Sequence, residues 1–181
     1  MLPAVAAADD AAQQGSSVKY TNLSIEQLTT PEQRKDAMEV RIAVFVDEQK
    51  YPLETEYDGL DEGSFHWAAY CDLVDQENHS QMVASHVPVG TVRLIPKPNG
   101  VAKLGRLAVL AAARGLYIGQ TLVKEFIAYC KKHGYHTIVL HAQYPRRGFY
   151  EKLGFVIEEG EEIFDEDGTP HIRMYMRNIQ A

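Results

Sequence analysis

The chain has 181 residues, 45% of them hydrophobic, with 18 basic against 25 acidic residues and a formal net charge of −7. That length favours one domain with a sizeable core. No stretch approaches the roughly 20 apolar residues that span a bilayer, and the acidic balance argues against nucleic acid as a partner, because phosphate binding asks for a basic surface.

Met1 to Ser17 is rich in Ala, Gln, Ser and Gly and reads as a flexible N-terminal tail, which leaves residues 18–181 as a single domain. The Ala-rich start has no basic segment and carries Asp9 and Asp10, so it makes a poor signal peptide. The two cysteines, Cys71 and Cys130, suggest neither a disulfide framework nor a metal cluster and fit a reducing, cytoplasmic setting. Glycosylation patterns at Asn22 and Asn78 mean little without secretion.

Val18 to Leu23 predicts the first strand. Thr30-Pro-Glu-Gln33 predicts a helix start: Thr30 as N-cap, Pro31 in the first helical position and Gln33 closing a capping box. Met38, Ile42 and Phe45 follow at helical spacing, carrying that helix to about Val46. Val44 to Asp61, V-F-V-D-E-Q-K-Y-P-L-E-T-E-Y-D-G-L-D, is a loop dense in carboxylates, broken by Pro52 and Gly59, with His66 just beyond. On composition it is a solvated acidic loop.

Phe65 to Cys71 predicts a strand, Asp72 to His86 a polar turn with a disordered tip, and Gly90 to Ile95 another strand. Asn99-Gly100 then turns the chain so that Lys103 to Val109 pairs back. A helix from about Leu116 to Lys132 follows, with Ile118, Leu122, Phe126 and Tyr129 on one apolar face; Lys131, Lys132 and His133 suit its C-terminus and Gly134 ends it. Thr137 to Leu140 is β-branched and apolar, as in a buried, parallel, central strand. Phe149 to Leu153 reads as a short helix ended by Gly154. Glu158 to Phe164 and Ile172 to Ile179 read as two strands joined across Asp165 to Pro170.

The helix start near Leu110 to Gly115 carries the chemistry. Exposed N–H groups and the positive end of the dipole favour an anion there. No acid occurs from Val109 to Lys124, and Arg114 stands at the mouth, so the site reads as open to an outside phosphate. Neither G-x-x-x-x-G-K-[ST] nor G-x-G-x-x-G is present, which excludes a P-loop and a Rossmann fingerprint. An ordinary βα turn with packing glycines is the alternative.

R-G-L-Y-I-G, Arg114 to Gly119, resembles the pyrophosphate loop of the GCN5-related N-acetyltransferases (GNAT), which reads Q/R-x-x-G-x-G/A. Tyr117 stands where the middle glycine is usual. Its side chain would either hold the backbone off a phosphate or point away and leave the amide free. Three further stretches resemble the ElaA-like branch of that family: the acidic loop with Glu48, Gln49, Glu56, Asp58, Asp61 and His66; F-Y-E-K-L-G-F at Phe149 to Phe155; and D-G-T-P-H-I-R-M at Asp167 to Met174. They come in family order and span most of Val44 to Met174.

The resemblance implies a GNAT fold, α/β, with a mixed, mostly antiparallel sheet and helices on both faces. It implies acetyl transfer from acetyl-CoA to an amine, without a metal. The amides of Arg114, Gly115, Leu116, Tyr117, Ile118, Gly119 and Gln120 would hold the diphosphate, and the backbone of Leu107, Ala108 and Val109 the pantetheine arm. The Val109 amide would polarise the acetyl carbonyl. Tyr150 would donate a proton to the departing thiolate. Glu48, His66 and His141 are candidate bases, and the residue types do not choose among them. Glu48, Gln49, Glu56, Asp58, His66 and His141 are candidate acceptor contacts, and acidic ones would suit a cationic amine. His136 and His141 have opposite strand parity and should face apart, which speaks against zinc. Expected partners are a small-molecule amine and neither nucleic acid nor membrane, the chain being a monomer or homodimer. A protein lysine or N-terminal acceptor and a non-catalytic acyl-CoA sensor are the alternatives.

Overall fold

The computed structural model describes residues 18–78 and 81–180. The tail expected at 1–17 lies outside the described residues, as does part of the Asn78 glycosylation pattern.

Seven strands form one sheet: β1 (Val18–Leu28), β2 (Phe65–Asp75), β3 (Met82–Lys97), β4 (Val101–Val109), β5 (Thr137–Gln143), β6 (Phe164–Glu166) and β7 (Thr169–Arg177). Their order is β1-β2-β3-β4-β5-β7-β6, and only β4 and β5 run parallel. Three helices accompany it: α1 (Arg34–Arg41), α2 (Ile118–Lys132) and α3 (Arg147–Lys152). Strand parity assigns the faces. Ala68 and Tyr70 on β2 pack with Ala37 of α1, whereas the Trp67 ring, pointing the other way, meets Phe126 of α2 at 6.0 Å between centroids. The sheet therefore carries helices on both faces. Gly90 lets α2 sit close: a Cβ there would lie 3.0 Å from Leu122 Cδ1 and 3.2 Å from the Ala108 carbonyl oxygen.

The capping box forms as expected, Gln33 N donating to Thr30 Oγ1 (3.2 Å) and Thr30 N to Gln33 Oε1 (3.1 Å). Beyond α1 the chain winds on as a π-helical segment, Ile42–Glu48, two residues past the predicted end. The expected polar turn from Asp72 to His86 is a correction: most of it is strand. Cys71 pairs with Val87, Leu73 with Ala84 and Val74 with Met82, and Leu73 is fully buried. One buried face is enough to hold a ribbon whose other face is polar.

The expected strand Glu158 to Phe164 is also corrected. Only Phe164–Glu166 pairs, and Asp167 and Gly168, both left-handed at φ 52° and 79°, turn the chain into β7. The glutamates before it make no strand pairs: Glu159 and Glu162 are exposed, while Glu158 and Glu161 are held through their side chains by Arg177 and Tyr175 of β7. The predicted long helix starts at Ile118 rather than Leu116, because Tyr117 is its left-handed N-cap (φ 60°).

The feature that positions the site lies in β4. Between the pairs Thr91–Ala108 and Arg93–Gly105, β4 carries one residue more than β3, and Arg106 there has φ 50°. This bulge bends β4 away from its other neighbour. Pairing with β5 ends at Leu104–Leu140, so residues 105–109 have an open edge.

Candidate active site

Two cavities meet at that opening. One, about 750 Å³, runs along Leu107, Ala108 and Val109 to Arg114, Gly115, Tyr117, Ile118, Gly119 and Gln120, with Phe149 and Lys152 opposite. The other, about 270 Å³, lies on the α1 side under the acidic loop, with His141, Lys103 and Arg93 in its wall. Gln49, Leu107, Arg146 and Tyr150 belong to both.

The first cavity is lined by backbone donors. No hydrogen bond within the described chain engages the amides of residues 115–120, and the helix ladder begins with Thr121 N donating to Tyr117 O (3.0 Å). Gly115 (φ 81°) and Tyr117 (φ 60°) are both left-handed, which turns successive N–H groups toward one concavity. A tyrosine in that conformation costs about 1–2 kcal/mol that glycine would not. Its side chain is 73% exposed, so it points to solvent and leaves the backbone accessible. Along β4, Leu110 N donates to Val89 O (2.8 Å) on the β3 side. By alternation the Val109 amide and carbonyl face the open edge.

The mouth is not free of acid, which corrects the expectation. The last residue of the π-helical segment, Glu48, grips Arg114 with both oxygens: Nη1 donates to Oε1 at 2.7 Å and Nη2 to Oε2 at 2.6 Å, while Nε donates to Val109 O at 3.1 Å. A sequence window of 16 residues around the loop could not see a carboxylate 66 positions away. Arg146 and Lys152 are further cations on this cavity.

Tyr150 stands on α3 at the junction, half-buried between the Phe149 ring (5.1 Å) and the Phe155 ring (6.0 Å). Its hydroxyl has no partner among the described residues. Burial pushes its pKa up to about 12, so it stays protonated.

Residues 32–155 match the Acetyltransferase (GNAT) family. The chain belongs to the GNAT family of acetyltransferases. Its relatives agree: it is 35% identical to the uncharacterised N-acetyltransferase YjcF of Bacillus subtilis over 79% of this chain and 91% of that one. It is 29% identical to the protein ElaA of Escherichia coli, covering 90% and 95%. The crystal structure of Escherichia coli ElaA superposes with a TM-score of 0.66 at 26% identity, covering 85% of this chain and 99% of that one. An aminoglycoside 6'-N-acetyltransferase complexed with coenzyme A shares the fold at 18% identity and TM-score 0.60, covering 85% and 96%. The family uses acetyl-CoA.

In this GNAT enzyme the acidic loop is mostly spent on arginines. Buried Arg41 donates Nε to Glu56 Oε2 (2.8 Å) and Nη1 to both oxygens of Asp61 (2.9 and 3.0 Å). Buried Arg93 donates to both oxygens of Asp58 (2.9 and 2.7 Å) and to Asp61 (2.9 Å). The bulge residue Arg106 lies 3.2 Å from Glu56 and 3.5 Å from Asp58. Burial would raise the Asp58 carboxyl, but the Arg93 hydrogen bonds outweigh it and hold the pKa at about 2. Three carboxylates are matched by three guanidiniums, so this part of the loop supplies no free anion for a cationic amine. The three arginines carried little sequence signal. Arg41 does sit four residues after Ala37 and three before Val44, both buried, so it interrupts an apolar stripe.

Of the candidate site residues, Gln49, Glu56, Asp58 and His141 line the smaller cavity, whereas Glu48, His66 and Leu116 line neither cavity. His66 is 1% exposed, and its Nε2 donates to the Asp61 carbonyl at 2.9 Å. Burial lowers its pKa, so it holds the loop as a neutral ring. The bidentate Arg114 hydrogen bonds lower the pKa of Glu48 and occupy both its oxygens. His141 Nδ1 lies 2.9 Å from Glu166 Oε1, and a carboxylate only accepts, so Nδ1 carries the proton and Nε2 is the basic nitrogen. Glu166, His171, Lys103, Arg146 and Phe149 join the two cavities without having been named as site residues from the sequence. Phe149 and His171 lie in motifs that were recognised without a role for them, while Glu166, Lys103 and Arg146 lie in no motif; β5–β7 and β6–β7 pairing collects Glu166 and His171 beside His141. Among the described residues no group of three or more His, Cys, Asp or Glu could hold a metal, and no helix is long and apolar enough to cross a membrane. Cys71 and Cys130 are buried and unpaired.

Proposed function

We propose that this enzyme, one acetyltransferase domain from residue 18 onward acting in the cytoplasm, transfers the acetyl group of acetyl-CoA to the primary amine of a small molecule by direct attack. The unbonded amides of residues 115–120, with Arg146 and Lys152 nearby, suit a diphosphate. The open β4 edge at Leu107 to Val109 suits the amide-bearing pantetheine arm, which would pair with it as an added strand. In that pairing the thioester would lie beside the Val109 amide, a donor for the oxygen that gains charge during attack.

The acceptor enters from the smaller cavity, whose volume of about 270 Å³ suits a small amine better than a peptide. His141 Nε2 takes the ammonium proton, directly or through water, with Glu166 fixing its tautomer. The amine nitrogen then bonds to the carbonyl carbon, the C–S bond breaks, and the thiolate takes the Tyr150 proton. The nitrogen's remaining extra proton passes to the Tyr150 oxygen, directly or through water, which restores the phenol, and His141 releases its proton to solvent.

One observation carries this reading: a protonated, unbonded Tyr150 hydroxyl in the wall common to both cavities. Tyr150→Phe is expected to slow thiol release about 10²–10⁴-fold, the usual worth of a positioned acid, while calorimetry shows acetyl-CoA bound as before. Full activity in Tyr150→Phe would remove the acid role. Failure of wild-type protein to bind acetyl-CoA would remove the whole reading.

A further inference from the structure

The smaller cavity is assembled from charged groups, and sorting them by direct contact leaves one cation over. Glu56, Asp58 and Asp61 are matched by Arg41, Arg93 and Arg106. Glu166 has Oε1 on His141 (2.9 Å) and Oε2 3.6 Å from His171. Lys103 remains. It stands on β4 opposite Val139 of β5, diagonal to His141, and its ammonium forms no ion pair with any carboxylate among the described residues. Its nearest polar neighbour is His141 Nδ1 at 3.5 Å, which already gives its proton to Glu166 and offers Lys103 no lone pair. The side chain is half-buried, and burial lowers its pKa.

A half-buried ammonium with three donors and no carboxylate in direct contact is better satisfied when a ligand brings an anionic acceptor to it. A purely cationic acceptor would make this worse. We infer that the acceptor amine carries an anionic group, a carboxylate or phosphate, and that Lys103 binds it. This rests on the acetyl-transfer reading above. The two ends of such an acceptor are then told apart: the anion seats on Lys103, while the amine faces Tyr150 and His141 at the junction. Lys103 lies just before the stretch where β4 leaves β5, and Leu107 lies within that stretch, so the anion site and the thioester edge are separated along β4 by the bulge. A bulge that opens the thioester edge thus also sets the spacing between the anion and the reacting nitrogen.

The test uses matched amines in the thiol-release assay: alanine against ethylamine, phenylalanine against phenethylamine, and O-phosphoethanolamine against ethanolamine. Wild-type enzyme is expected to favour an anion-bearing member in kcat/KM by about 10–100-fold, the range for one charged hydrogen-bonded contact. The pair giving the preference identifies carboxylate or phosphate. Lys103→Met is expected to bring that ratio to about one through a raised KM, and Lys103→Arg to restore part of it. A wild-type preference for the plain amines, or a ratio unmoved in Lys103→Met, overturns the inference and leaves acetyl transfer standing. Absence of turnover with all six amines, despite acetyl-CoA binding, overturns both.

Discussion

The two cavities sharing Tyr150 are built on opposite plans. The larger cavity, proposed for the cofactor, offers backbone: among the described residues, six unbonded amides at residues 115–120 and the open edge of β4. The smaller one, proposed for the acceptor, is made of side chains, and most of its charged ones already hold each other, Arg41 and Arg93 alone accounting for contacts to three carboxylates. A backbone site asks for a conformation rather than a residue type, so it tolerates a tyrosine where glycine would serve. A side-chain lattice asks for every member, because one loss leaves a buried charge without its counterpart.

The largest effect that sharpens this contrast is expected at Arg41. Arg41→Met leaves Glu56 and Asp61 short of their shared partner in a buried setting, and about 3–5 kcal/mol of stability should be lost in urea denaturation. A loss below about 1 kcal/mol, the range of surface ion pairs, would mean that the lattice is a solvated cluster after all.

Acid should attack the same region in two stages. Burial depresses the pKa of His66, so the unfolded chain binds that proton first, and stability should decline as pH falls below about 6.5. Asp58 is depressed to about 2 from an ordinary value of 3.8; its contribution is present above 3.8 and is lost as pH falls from there toward 2. Urea midpoints at pH 7.5 and 5.5 isolate the first stage, and His66→Gln should flatten it. An unchanged slope in that variant would assign the first stage to another group.

The smallest effect belongs to the cofactor side. Tyr117→Gly relieves a left-handed tyrosine, but glycine costs backbone entropy of about the same size, so stability should move by less than about 1 kcal/mol. Since the side chain is 73% exposed, acetyl-CoA affinity should also change little. A tenfold change in Kd would show that the phenol ring, and not only the backbone, meets the cofactor.

What could be read from the sequence follows the same division. Local signals placed the capping box at Thr30–Gln33, the turn at Asn99-Gly100, the long helix and its stop at Gly134, and the sheet's parallel pair. The phosphate-loop resemblance led to the residues of the larger cavity, because a run of backbone donors is encoded by a contiguous stretch. The acceptor side was less legible. Glu56, Asp58 and Asp61 were visible as acids, but whether an acid is free depends on partners as distant as Asp58 from Arg93, 35 positions apart. Glu48 looked like a base until the fold set Arg114 against it. Lys103 could not be told from any other strand lysine before His141 and Glu166 were in place around it. The polar ribbon after Asp72 was missed because its partner strand, not its own residues, makes it a strand.

The short contact between β4 and β5 has a mechanical side. Among the described residues the ladder that joins β4 to β5 is four residue pairs long, and it stops where the bulge begins. A pantetheine arm lying in that gap would act as a guest rung, tying the two halves together for as long as it stays. On the proposed reading the protein without cofactor would be an unfinished sheet, and release of the spent thiol would return it to that state at every turnover.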